Sequence, residues 1–215
     1  MANYENGANT RQMIIAACKQ LFYHKGFHET SFGDICKEAH INRGTLYYHF
    51  KTKEEMRYEV QCEFIVANKH IAEKYCTDPR YLYILAIGLY WEQAHRDEKL
   101  RRFCLQYCID FPVYTGKKDP TLFYYTIYDG MWGQFWDQQK ISQLAFASVY
   151  GYIMSCMRML CEHPEKYDAT EMFEHCIRSS TAIWGIPQEI LDQICQNVRQ
   201  ILSLIPEEEI RVQLP

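Results

Sequence analysis

Arg43-Gly44-Thr45-Leu46-Tyr47-Tyr48-His49-Phe50-Lys51-Thr52-Lys53-Glu54-Glu55 begins as a short helix with two unlike faces. At 100° per residue Leu46 and Phe50 fall on one side, the side that must pack inward, and Gly44 and Tyr48 fall opposite, flanked by Thr45, Tyr47 and His49. Asn42 is a good N-cap for this helix, and Ser31 is a good N-cap for another that carries Ile35 and Ala39 inward. Two short helices with so few residues between them predict a helix-turn-helix. A third helix precedes them, since Ile14, Ala17, Cys18, Leu21 and Phe22 form one stripe from Thr10 to near Gly26.

The outer face of the Arg43 helix has the chemistry of a DNA contact. Hydroxyls and an imidazole reach phosphate oxygens, and an arginine in the first turn can bond guanine O6 and N7 as a fork. Gly44 costs about 1 kcal/mol against alanine in a helix, and a close approach to the duplex is a reason to keep it. Thr52 to Glu55 reads as a capping box opening a long helix, Lys53 to Tyr75, marked by Met56, Val60, Phe64, Ala67 and Ile71. Lys53 adds a cation to the exposed N–H groups at that helix start, which together favour a phosphate. Charge agrees: residues 9–53 hold seven Lys or Arg against three Asp or Glu, whereas the chain as a whole is at −4. A basic N-terminal module therefore precedes an acidic body.

In a chain of 215 residues, 48% hydrophobic and 15% aromatic, global disorder is excluded. Helical periodicity recurs at Leu82, Leu85, Ala86 and Leu89, at Tyr124, Ile127, Tyr128, Met131 and Phe135, over Ala145–Cys161, over Thr170–Trp184, and over Gln188–Leu204 with Ile190, Ile194, Val198, Ile201 and Ile205. Prolines punctuate these segments, and no stretch alternates as a strand would, so the fold is predicted to be all-α. Ala145–Cys161 is apolar nearly all round, yet it is shorter than the ~18 residues of a span and holds Ser148, Ser155 and Arg158, so it is expected to be a buried helix. Ten cysteines are too few in this length for a disulfide scaffold. Met1–Thr10 is polar and residues 13–18 are too short for a signal sequence, so a reducing cytoplasm with free thiols is the expected setting. Cys104 and Cys108 lie at i, i+4, and Cys161, His163, His175 and Cys176 flank two adjacent segments. No CxxC or HExxH accompanies them, and core filling is the simpler account, with a thiol or metal sensor as the alternative. Lys117-Lys118 and Glu207-Glu208-Glu209 are expected to be solvated ends.

Leu21-Phe22-Tyr23-His24-Lys25-Gly26-Phe27, Thr30-Ser31, Asp34-Ile35 and the run from Arg43 to Glu55 together resemble the DNA-binding domain of the TetR family of bacterial transcriptional regulators, over roughly residues 10–57. The resemblance implies a three-helix helix-turn-helix domain at 1–55 and a helical ligand-binding and dimerisation domain at 56–215. It implies a recognition helix from Asn42 to Phe50, with Arg43 contacting a base and Gly44, Thr45, Tyr47, Tyr48, His49 and Lys53 at the duplex. His40 stands where the family's turn commonly has glycine, and so must accept a left-handed backbone. The resemblance further implies a homodimeric repressor on double-stranded operator DNA of near-palindromic sequence, released by an unidentified small-molecule effector. Candidate pocket residues are Tyr90, Phe103, Tyr107, Tyr125, Tyr128 and Trp132, rings with few polar handles. Candidate interface residues are Val149, Ile153, Cys156, Met172, Cys176 and Ile183. No acid, base and nucleophile constellation stands out, and no enzyme, cofactor, metal or membrane role is expected. A coactivator or adaptor acting through protein partners is the other alternative.

Overall fold

Ile14, Ile15, Cys18 and Phe22 lie buried along one side of a helix, Ala2–His24 (α1), which starts earlier than the apolar stripe alone indicates. It ends at Gly26, whose N–H reaches the Leu21 carbonyl at 3.2 Å and whose φ of 107° is the left-handed closure that glycine takes without strain. The computed structural model describes residues 2–110, 143–182 and 187–214. After α1 come Phe32–Glu38 (α2), Arg43–His49 (α3), Lys53–Ala72 (α4), Pro79–Arg96 (α5), Glu98–Asp110 (α6), Gln143–Glu162 (α7), Ala169–Ala182 (α8) and Gln188–Leu204 (α9). No strand occurs among the described residues, and the fold is all-α. None of the described helices is long and apolar enough to cross a membrane. The predicted helix around Tyr124 to Phe135 lies outside the described residues.

The chain divides into two compact units, Met1–Phe64 with Val212–Pro215, and Ile65–Arg211. The first takes in the opening turns of α4, further than residue 55, because those turns pack on α1. The Cys18 thiol lies 3.5 Å from the Met56 sulfur, Arg11 pairs with Glu59 at 2.7 Å, and Gln12 donates to Glu63 at 3.1 Å. Leu46 and Phe50 are buried in the same core as Phe22, Ile35, Met56 and Phe64, so the inward face expected of the Arg43 helix is the observed one.

In the second unit α5 packs on α6, α7, α8 and α9. Its Gly88 is required by packing: a Cβ there would meet the Phe173 ring at 3.0 Å and Leu202 at 3.3 Å. Helix α6 was not anticipated as an element, although Leu100, Phe103, Cys104 and Tyr107 repeat at helical spacing and are all buried. In α9 the buried stripe is Leu191, Ile194, Cys195, Val198 and Leu202, with Ile190 and Ile201 only half-buried. The expected stripe is thus rotated, because α9 faces both α5 and α8. Glu207 and Glu209 are not merely solvated: Glu207 pairs with Arg96 at 2.9 Å, and Glu209 takes Lys74 at 2.7 Å and the Tyr75 hydroxyl at 2.9 Å. These pairs hold the segment after α9 against the α4–α5 end of the unit.

Candidate DNA-binding surface

Local hydrogen bonds set both helices of the helix-turn-helix. Ser31 Oγ accepts the Asp34 N–H at 3.1 Å while Asp34 accepts the Ser31 N–H at 2.8 Å, a complete capping box. Lys25 reaches the same carboxylate at 2.6 Å, and these donors hold Asp34 well below the usual carboxylate range. At α3, Asn42 Oδ1 accepts the Thr45 N–H at 2.9 Å and the Thr45 hydroxyl at 3.2 Å. The cap of α4 is shared differently from the expected box. Thr52 accepts the Glu55 N–H at 3.2 Å, but Glu55 reaches back to the Lys51 N–H, at 2.8 Å, because the chain enters α4 through a bend there.

The turn between α2 and α3 is a Schellman closure. Ile41 N–H bonds the Cys36 carbonyl at 3.0 Å and His40 N–H the Lys37 carbonyl at 3.3 Å, with His40 at φ 53°. The histidine does sit in the left-handed conformation that its position demanded. Relieving that strain predicts that His40→Gly raises stability by about 0.5–1 kcal/mol with the turn unchanged. Urea midpoints of the two proteins check it, and a lower midpoint for the glycine variant would contradict it.

With the turn and caps fixed, α3 presents its polar side outward. Arg43 and Gly44 are exposed, Tyr47 is 45% and Tyr48 79% exposed, Thr45 and His49 are half-buried, and Leu46 alone within α3 is fully buried. Arg43 makes no hydrogen bond or ion pair among the described residues, so its guanidinium is uncommitted. The Tyr47 ring leans on Phe32 of α2 at 5.5 Å, which restrains it, and the Tyr48 ring meets His49 edge-on at 5.1 Å. Gly44 has a reason inside the chain: a Cβ would come within 3.2 Å of the Asn42 cap oxygen.

Lys53 is placed differently from a simple phosphate contact. Its ammonium donates to the carbonyls of Phe27 at 2.7 Å and Thr30 at 2.9 Å and lies 4.4 Å over the Phe27 ring. It clamps the α1–α2 turn, a role sequence reading missed because the partners are 26 and 23 residues away. The other sequence candidates lie elsewhere. Tyr90, Phe103 and Tyr107 are buried in the second unit, with the Cys104 thiol 3.0 Å from the Tyr90 hydroxyl. Cys156 and Cys176 are buried within the chain, whereas Ile153 and Met172 keep part of their surface. Tyr125, Tyr128, Trp132 and Ile183, and the side chain of Val149, lie outside the described residues. No three His, Cys, Asp or Glu side chains among the described residues are grouped to hold a metal ion.

A capped helix pair with one buried face, one outward polar face and an uncommitted arginine in its first turn defines a helix-turn-helix domain of the kind that enters a DNA groove. Residues 14–60 match the family model of bacterial regulatory proteins, tetR family, and the amino-terminal unit belongs to that family. The chain is 40% identical over 52 residues to the HTH-type transcriptional regulator QacR of Staphylococcus aureus, covering 24% of this chain and 28% of QacR. It is 45% identical over 47 residues to the HTH-type transcriptional regulator UidR of Escherichia coli, covering 22% of this chain and 24% of UidR. The match thus spans about a quarter of the length of these curated relatives. Among solved structures, TylP, a TetR regulator from Streptomyces fradiae, aligns over 92% of this chain and 98% of its own, at 14% identity and a TM-score of 0.49.

Proposed function

We propose that the protein is a sequence-specific transcriptional regulator, without catalytic activity, that binds operator DNA through α3. Arg43 carries the reading: it is exposed and uncommitted at the start of a helix whose inner face and caps are fixed. Arg43 reads a base edge, while Thr45, Tyr47, Tyr48 and His49 grip phosphates or graze bases, and Gly44 keeps the helix start slim. Lys53 contributes through its charge at the start of α4 and through the turn that it clamps. The family relationship supports a homodimer, hence two recognition helices on a near-palindrome, and a bacterial cytoplasmic setting. Among the described residues, the half-buried Ile153 and Met172 of α7 and α8 are the part of the proposed interface that still has surface to give.

A ligand bound in the second unit, among rings such as Tyr90, Phe103 and Tyr107, would release the operator by binding the DNA-incompetent state more tightly, and that affinity ratio limits the release.

Fluorescence anisotropy on DNA tiles from the upstream region of the gene itself tests the assignment. Arg43→Ala is expected to cost about 1–3 kcal/mol on the operator and to blur one base pair, leaving other sequences nearly unchanged. Lys53→Ala is expected to weaken every sequence, flatten the salt slope by about one, and lower the urea midpoint because two carbonyls lose their donor. Equal losses on all DNA for both variants would refute the division of roles. Sequence-blind binding by the wild type, on these tiles and after selection from random DNA, would favour an adaptor acting through protein partners.

A further inference from the structure

The second unit holds a thiol pair that DNA binding does not use. Cys156 on α7 and Cys176 on α8 are both buried where these helices pack, and their side chains are hydrogen-bonded to each other. The Tyr152 hydroxyl, one turn earlier on α7, also bonds Cys156 and lies 3.3 Å from the Ser179 hydroxyl, with the His175 ring 6.1 Å from its own. Donation by Cys176 and Tyr152 favours the anion on one sulfur. Cys156 is drawn down to about 7, while Cys176 is pushed up for lending its proton. Burial does the opposite elsewhere: alone it raises Cys18 to about 12, and with the carboxylates of Glu174 and Asp192, against the opposing pull of Arg178 and Arg199, it raises Cys195 to about 11. All ten cysteines are free in this structure, so the pair stands reduced.

We propose that Cys156 and Cys176 are a peroxide-oxidised dithiol that closes to a disulfide linking α7 to α8 within one chain. The Cys156 thiolate attacks one oxygen of hydrogen peroxide; the O–O bond breaks, the sulfur becomes a sulfenic acid, and the leaving hydroxide takes up the thiol proton as water. Cys176 then attacks that sulfur; the S–S bond forms, the S–O bond breaks, and the second hydroxide leaves with the Cys176 proton as a second water. Two thiols are oxidised and one peroxide is reduced, so the sequence balances. Hydrogen peroxide is little larger than water. In the single chain the exposed His175 and the half-buried Tyr152 and Ser179 bring solvent to within a turn of the pair, on the helices that the proposed homodimer also uses. Disulfide formation stands independently of the regulator reading; only a consequence for operator binding would rest on that reading.

The test uses the reduced full-length chain, treated with hydrogen peroxide, blocked by alkylation and mapped by mass spectrometry. The expected product is one cross-linked peptide pair containing Cys156 and Cys176, on a chain that runs as a monomer in a non-reducing gel and is restored by dithiothreitol. Cys176→Ser should stop the reaction at a sulfenic acid on Cys156 that dimedone traps, and Cys156→Ser should abolish it. Tyr152→Phe keeps the half-buried ring and should slow the reaction severalfold, which a purely structural role for the hydroxyl would not do. Both thiols still alkylated after peroxide, a bond between two chains, or a bond to any other cysteine in its place would overturn the proposal. None of these outcomes depends on whether the chain binds DNA.

Discussion

Leu46→Ala is expected to destabilise the first unit by about 2–5 kcal/mol, the range for removing a buried leucine from a packed core. Leu46 has no solvent exposure, and it is the one buried residue within α3. A seven-residue helix is too short to persist by itself, so α3 exists because it is docked, and its docking rests on Leu46 and on Phe50 at its C-cap. Arg11 lies 4.8 Å over the Phe50 ring. The residues of the first unit include no tryptophan, so tryptophan fluorescence is the wrong probe here. Amide hydrogen exchange on peptides from α1 to α3 is the right one, with protection falling roughly thirty- to a few-thousand-fold. Operator binding should fail together with it. A loss of protection confined to peptides of the second unit would refute this account of the docking.

Leu46 also marks how much of the site was legible in the sequence. Its inward face, the Ser31 and Asn42 caps and the strained position of His40 all follow from patterns spanning a few residues, and local patterns are what a sequence states directly. The clamp made by Lys53 on Phe27 and Thr30 could not be read that way, since nothing near Lys53 names its partners. The second unit divides similarly. The bounds of α7 and α9 and the start of α8 were readable from apolar runs, but the rotation of the α9 stripe depends on which two helices it meets. Helix α6 was readable in principle, because Leu100, Phe103, Cys104 and Tyr107 carry the period plainly, although Phe103 and Tyr107 are also rings of the kind that line a pocket. The ion pairs of Glu207 and Glu209 join residues 111 and 135 positions apart, beyond the reach of any window.

The least legible feature of all is a pair of polar side chains on faces that periodicity would fill with leucine, and it makes the second large prediction. Asn68 on α4 and Gln93 on α5, 1% and 2% exposed, exchange reciprocal amide hydrogen bonds of 2.9 and 2.8 Å, and Gln93 also donates to the Arg211 carbonyl at 3.0 Å. Gln93→Leu would leave the Asn68 carbonyl and the Asn68 amide without their partners in a buried site. At about 1–3 kcal/mol for each buried group left unmade, a total of about 3–5 kcal/mol is expected after partial relaxation. Replacing both partners by leucine removes the orphaned amide along with its mate, and the double variant should lie within about 1–2 kcal/mol of the wild type. Trp91, buried two positions before Gln93 and 5.8 Å from the Phe173 ring, supplies the fluorescence signal for urea unfolding of this unit. A double variant as unstable as the sum of the two single ones would show that the amides act separately. A double variant restored as expected would show that the pair fixes the register of α4 on α5 while adding little net stability, which is the use of a buried polar pair that apolar side chains cannot imitate.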